Sequence, residues 1–192
     1  MRNTLFITLL LYTCFSFCQV KYEREYRISQ EEAPLKSIEI IKNLGYKKKI
    51  KWYVEESQDG KTYEAKSYYK GRKHSCEFAE KGELIDIEIK VNFKLLSQKT
   101  QQIIKNVLFK KFKKIKIKKT QIQFKPQKTT SLNTLIKSDD ITILEQLATN
   151  YELIVKGKTS NGYSKYEFLI SNKGELIKEL KFTPSNSDNL EF

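Results

Sequence analysis

Lys81-Gly82-Glu83-Leu84-Ile85 recurs as Lys173-Gly174-Glu175-Leu176-Ile177, 92 residues further on. Each copy follows a strand-like segment opening on Tyr-Glu: Tyr63-Glu64-Ala65-Lys66 before the first, Tyr151-Glu152-Leu153-Ile154 before the second. An identical pentapeptide in matching context implies a supersecondary unit written twice. Lys-Gly marks a turn in each copy. Beyond the first turn the residues alternate, with Ile85, Ile87, Ile89, Val91 and Phe93 on one strand face. Upstream of that turn, His74, Cys76 and Phe78 share a face. Asp59-Gly60 is a hairpin signal between the strand carrying Ile50, Trp52 and Val54 and a return strand from about 61 to 69. Before these strands, Leu35, Ile38, Ile41 and Leu44 recur at helical spacing behind Pro34, and Gly45 is a natural stop, so a helix is expected over 34–44. Val20, Tyr22, Arg24, Tyr26 and Ile28 alternate as one further strand.

The second unit opens near Ser97. Ile103, Ile104, Val107, Leu108 and Phe112 form a helical stripe, and a lysine-rich strand with Ile115 and Ile117 comes next. Its parity shifts to Ile122 and Phe124, which requires a bulge or break near Lys119. Residues 126–148 have no counterpart in the first unit. Gln127 to Asn133 reads as an inserted polar loop; Asp139-Asp140 fits the cap of a short helix through Leu147, while Ile141-Thr142-Ile143 fits a strand equally well. Asn161-Gly162 is a hairpin turn, a last strand is expected from Glu175 to Phe182, and 184–192 is a polar tail.

At 192 residues the chain holds one domain or two small ones. Residues 1–18 have the form of a secretory signal: Arg2, then an apolar stretch from Leu5 to Phe17 too short to span a bilayer, with cleavage expected after Cys18. A lipoprotein anchor on Cys14 or Cys18 is the weaker alternative, because the flanking Tyr12-Thr13 and Ser16-Phe17 are not the small residues such a site prefers. Cleavage leaves Cys76 as the one mature cysteine, so no internal disulfide is expected and the fold must stand on its core. A single unit would bury little apolar surface, so the two are expected to pack together or share a sheet. The net charge of +13 would point to nucleic acid in a cytoplasmic protein. Export redirects it to anionic lipid, glycan or acidic protein, and the dominance of lysine over arginine weakens bidentate phosphate recognition.

With the helix, hairpins and repeated turns in place, the chain resembles the PepSY-like family, exported bacterial proteins of the β-lactamase-inhibitor-like fold. The resemblance is carried by Ala33-Pro34, Lys49-Ile50-Lys51-Trp52, Tyr63-Glu64-Ala65 and Glu77-Phe78-Ala79-Glu80-Lys81-Gly82-Glu83-Leu84, and in the second unit by Tyr151 to Phe182. It implies an α+β fold of two tandem repeats, each a helix packed on an antiparallel β-meander. Repeat one would cover 19–95 and repeat two 96–183, with the insertion at about 126–148. It also implies a non-enzymatic role in the bacterial envelope, inhibition being suggested for relatives, and it carries over no catalytic residue.

Chemistry-bearing motifs are few. His74 and Cys76 point the same way on one strand, but a cysteine nucleophile needs a low-pKa thiolate and an orienting third group, so both are expected to be buried packing. One histidine and one mature cysteine make no zinc site, and no phosphate loop, nucleophile elbow or cofactor motif is present. Lys47, Lys49 and Lys51, and Lys114, Lys116 and Lys118, hold equivalent places after the two helices. They are candidate anion-binding strips, or else serve to relieve helix dipoles and discourage edge pairing. Tyr53 and Tyr68, opposite in facing to Trp52 and Tyr69, are expected on the sheet's outer face as an interface. The functional expectation is a periplasmic or secreted protein-binding module, inhibitor-like, with no cofactor and no nucleic-acid partner. Binding of anionic lipid or glycan through the lysines is the alternative, and a hydrolase ranks last.

Overall fold

All the described strands belong to one sheet. The computed structural model describes residues 19–20, 23–46, 49–57, 59–126, 132, 135–160 and 162–182. The expected signal (1–18) and tail (184–192) therefore lie outside the described residues, as does Lys47. In chain order the elements are β1 (Gln19–Val20), β2 (Glu23–Ile28), α1 (Leu35–Asn43), β3 (Lys51–Ser57), β4 (Gly60–Tyr69), β5 (Arg72–Phe78), β6 (Leu84–Lys90), α2 (Gln98–Phe109), β7 (Lys114–Phe124), α3 (Ile141–Leu147), β8 (Asn150–Thr159), β9 (Gly162–Ser171) and β10 (Leu176–Lys181). The strand order is β1-β10-β9-β8-β7-β6-β5-β4-β3-β2. Nine strands pair antiparallel, and β1 adds parallel to β10.

This continuity overturns the expectation of two tandem helix-and-meander units. β6 and β7, which were to belong to different units, pair through Ile87↔Phe124, Glu88↔Gln123, Ile89↔Ile122 and Lys90↔Gln121. The physical reason lies in the apolar residues. Ile87, Ile89, Ile122 and Phe124 are fully buried, and separate sheets would have left each strand an apolar edge with unpaired amides. One hydrophobic cluster accordingly runs the length of the sheet, from Trp52 and Phe78 under Ile41 to Phe168 under Ile104, Leu108 and Phe112.

The repeated pentapeptide explains how the helices are held on that core. In both copies the backbone turns alike: Gly82 N–H donates to the Ala79 carbonyl at 2.8 Å and Gly174 N–H to the Ser171 carbonyl at 2.9 Å. Both glycines have positive φ, +82° and +89°. A Cβ on Gly82 would lie 3.0 Å from Pro34 Cβ and from the Ser37 nitrogen at the start of α1, and one on Gly174 would lie 2.9 Å from Ile103 Cγ2 of α2. Glycine is thus required for conformation and for space, because each turn presses against the helix preceding its strands.

Two local expectations gain detail. The parity shift in β7 is a bulge between Ile117 and Lys119. Within 126–148, residues 141–147 are helix rather than strand: Asp140 caps it, accepting from Thr142 N–H at 2.8 Å, and Leu144 is buried in the core. Leu135 and Ile136 are also buried, so they and α3 cover the core, while the polar loop expected at 127–133 lies, except for buried Leu132, outside the described residues. Glu145 of α3 then reaches the amino end of α2, accepting from Ser97 N–H at 3.0 Å and from the Ser97 hydroxyl at 3.1 Å. A carboxylate suits that end of a helix dipole, so Glu145→Ala is expected to cost about 1 kcal/mol in urea unfolding. An unchanged midpoint would show that the contact contributes nothing.

The strand expected from Val20 to Ile28 is also corrected: it is two strands at opposite edges. Its alternation continues through β2, but β1 leaves it to pair with β10. With only residues 21 and 22 between them, β1 and β2 can stand no more than about 11 Å apart, so the sheet must curl until its edges approach. Lys178 of β10 forms an ion pair with Asp59 in the β3–β4 turn, which draws the same two edges together.

Candidate functional site

α1 and α2 cover one face of the curled sheet. Side chains of opposite parity line the other, concave face, and there the chain segregates its charge. The groove between the two edges is lined by ten of the chain's 23 carboxylates and by three lysines, in a protein of net charge +13. Register explains the crowding. Tyr53, Glu64, Glu77 and Asp86 stand side by side on β3 to β6, and Ser75, Glu88 and Gln123 form the next row on β5 to β7. Like charges directly opposite on neighbouring strands repel. Burial, then the neighbouring carboxylates Glu77 and Glu152, push Asp86 well above the usual carboxylate range. For Glu88, burial followed by Glu152 and Asp86 does the same. Lys66 offsets part of this, pairing with Glu25 and with Glu64 at 2.9 Å.

A second groove, of about 270 Å³, adjoins the first and shares Glu64, Lys66, Ser75 and Lys119 with it. Here the structure brings together four of the residues singled out in the sequence: Lys49, Lys51, Tyr53 and Tyr68. Tyr53 is half-buried with the Lys66 ammonium 4.6 Å from its ring centroid, and Tyr68 is 50% exposed. Lys73, Lys90 and Lys119 also line it, with Ser67, His74 and Gln121, so the groove is basic with aromatic walls. Partial burial first, then Lys90, Lys51, Lys66 and Lys119, hold the Lys73 pKa below the ordinary lysine value. A shallower groove joined to this one through Tyr68, Lys73, Lys90 and Lys119 reaches Lys118 at the β7 bulge.

Lys114 and Lys116 lie apart from it. They face Lys158 and Lys156 on β8, and Lys156 in turn faces Lys165 on β9. Tyr163 shares the patch, with the Lys156 and Lys158 ammoniums 5.5 and 5.8 Å from its ring centroid. The lysines of β8 and β9 were not singled out in the sequence. Only the strand register, which depends on the bulge, places them beside β7. The acidic groove was missed as well, although its signal was present as glutamate recurring at outward parity in Glu55, Glu64, Glu77 and Glu88.

His74 and Cys76 are on the other face, inside the core, 4% and 1% exposed. The Tyr46 hydroxyl is 3.0 Å from His74 Nδ1 and accepts from the Cys76 thiol at 3.8 Å. Burial, with the Arg72 charge a smaller cause, pulls the imidazole down to about 4. Burial pushes the thiol up to about 12 despite the Tyr46 hydrogen bond. At neutral pH both groups are uncharged, and the cysteine is a thiol, not a nucleophilic thiolate.

No family model matches the chain, and no curated protein does, so the PepSY-like membership read from the motifs is not confirmed. Among solved structures it is similar to a BLIP-like protein from Bacteroides fragilis, at 16% identity over 83% of this chain and 93% of that one, with a TM-score of 0.47. A DUF2874 family protein from Bacteroides ovatus is similar at 14% identity over 78% and 89% of the two chains, TM-score 0.49. So is a provisionally periplasmic protein from Bacteroides eggerthii, at 15% identity over 78% and 88%, TM-score 0.48. At these values the likeness is one of general outline and assigns no role to any residue.

Proposed function

We propose that this chain is an exported, non-enzymatic module that holds another envelope or extracellular protein against the concave face of its sheet, in the manner of an inhibitor. The observation that carries this is the basic groove walled by Tyr53 and Tyr68 on a face that the helices leave uncovered. Amphipathic aromatics beside cations supply rigid contact area together with polar recognition, the combination enriched at interface centres. The apolar stretch at Leu5 to Phe17 supports delivery to the periplasm or the exterior.

A second reading, binding of anionic lipid or glycan, is favoured by the patch of Lys114, Lys116, Lys156, Lys158 and Lys165. None of these has an ion-pair partner among the described residues. The two separate by experiment. In-cell crosslinking identifies the partner, and its affinity is then measured for Tyr53→Ala and Tyr68→Ala. Each should weaken capture about tenfold, the effect of losing one interface anchor of roughly 1–2 kcal/mol. Affinity unchanged by both substitutions, together with binding to anionic lipid vesicles that is lost between about 50 and 500 mM salt, would replace the protein partner with the electrostatic one.

A further inference from the structure

We propose that the acidic groove between the sheet edges is a binding site for an organic cation of the alkylguanidinium or alkylammonium class. Among the described residues its innermost carboxylates lack paired cations. Lys66 serves Glu25 and Glu64, Lys119 serves Glu152, and Lys178 serves Asp59, while Glu77, Asp86 and Glu88 have no ion pair.

The second, independent observation is unmet hydrogen-bonding capacity. Asp86 is 3% exposed and lines the groove; its Oδ2 accepts from the Gln123 amide at 2.9 Å, but its Oδ1 accepts no hydrogen bond. Buried acceptors left unpaired are costly. Asp86 Oδ1 meets no donor among the described residues, so the donor it fits comes from outside.

The size and spread of the acceptors select the class. Among the described residues no three carboxylate, imidazole or thiol groups converge closely enough to hold a metal ion. The groove volume of about 220 Å³ suits a group of several heavy atoms rather than a bare ion. Carboxylates carried on directly opposed strand positions, whose Cβ atoms stand about 5 Å apart, match a flat, multiply donating head better than a point charge. A cleft lined mostly by one sign of charge focuses its field. A cation between Glu77 and Asp86 would relieve the repulsion that their direct pairing across β5 and β6 creates.

The ligand is either a free polyamine or the basic side chain of a bound protein, and calorimetric titration of the full chain at low salt separates the two. The probes are spermidine, agmatine and a short arginine-containing peptide, with magnesium as control. Binding is expected below millimolar for at least one organic cation, weakened tenfold or more by Asp86→Asn and again by Glu88→Gln, and unchanged in Glu39→Gln on the exposed side of α1. Tight spermidine with weak peptide identifies a polyamine site; the reverse identifies a partner's side chain. Absence of binding by all three probes overturns the proposal. So does magnesium binding equal to theirs, or affinity untouched in folded Asp86→Asn. The protein-partner function stands or falls separately on Tyr53 and Tyr68.

Discussion

Gly157→Ala is expected to destabilise the protein by about 3 kcal/mol, near the upper end for overpacking a single methyl. Gly157 lies in β8, opposite Ile115 of β7 and Ser164 of β9. A Cβ there would fall 2.5 Å from Phe112 Cδ1 and 2.6 Å from two further ring carbons. The ring cannot yield easily. It is 2% exposed, its centroid is 5.0 Å from that of Tyr166, and it meets Phe168 edge-on at 5.8 Å. Phe112 also ends the stripe that seats α2, so moving it lifts the helix from the sheet. The backbone at Gly157 is ordinary strand, so the cost is one of space rather than conformation. For a chain of this length the loss corresponds to about 6–12 °C in Tm. Phe112→Leu in the same chain should recover part of it, which a merely conformational effect would not do. A Tm within a degree of the parent would show that the contact is soft.

Acid should cost the protein nearly as much, through one residue. His74 has a folded pKa of about 4 against an ordinary value of 6.5, because burial denies its cation water and Arg72 repels it. A depressed imidazole pKa means that the unfolded chain takes up the proton first. The stability His74 contributes is therefore complete above pH 6.5 and is lost as pH falls toward 4, by about 3 kcal/mol. The acidic groove works in the opposite sense. Burial and neighbouring carboxylates raise Glu25, Glu77, Asp86 and Glu88, so the folded chain holds their protons more tightly and stability falls as pH rises through their folded values. His74→Gln, which retains a polar partner for the Tyr46 hydroxyl, isolates the histidine. Urea unfolding of parent and variant at about pH 7 and pH 4 should show the parent losing about 3 kcal/mol more than the variant. Parallel pH profiles would mean that the imidazole is not buried neutral.

The elements themselves were legible because local chemistry dictates them. Pro34 and Gly45 bracket α1, Asp59-Gly60 closes β3 on β4, and the parity break at Lys119 is a bulge. The repeated Lys-Gly-Glu-Leu-Ile was legible as two turns of the same kind. Reading those turns as the mark of separate units was wrong, because pairing between β6 and β7 joins stretches far apart in the chain whose only signal is burial. The curl of the sheet was hidden for the same reason: β1 and β2 look like one alternating strand until the pairing with β10 is seen. Of the candidate residues, the facing of Tyr53 and Tyr68 could be read from strand parity alone, whereas Lys49 and Lys51 were legible only as a lysine run after α1. For the acidic groove parity shows that Glu64, Glu77, Asp86 and Glu88 face outward, but that they meet depends on register across three strands.

A photoreactive amino acid at position 68, compared with one at Glu39 on the exposed side of α1, reports in living cells which surface is occupied. If the concave face is the binding face, the probe at 68 captures one envelope or extracellular protein, and adding Tyr53→Ala diminishes that adduct. Capture from position 39 alone, or equal adducts from both positions that ignore Tyr53→Ala, would contradict it.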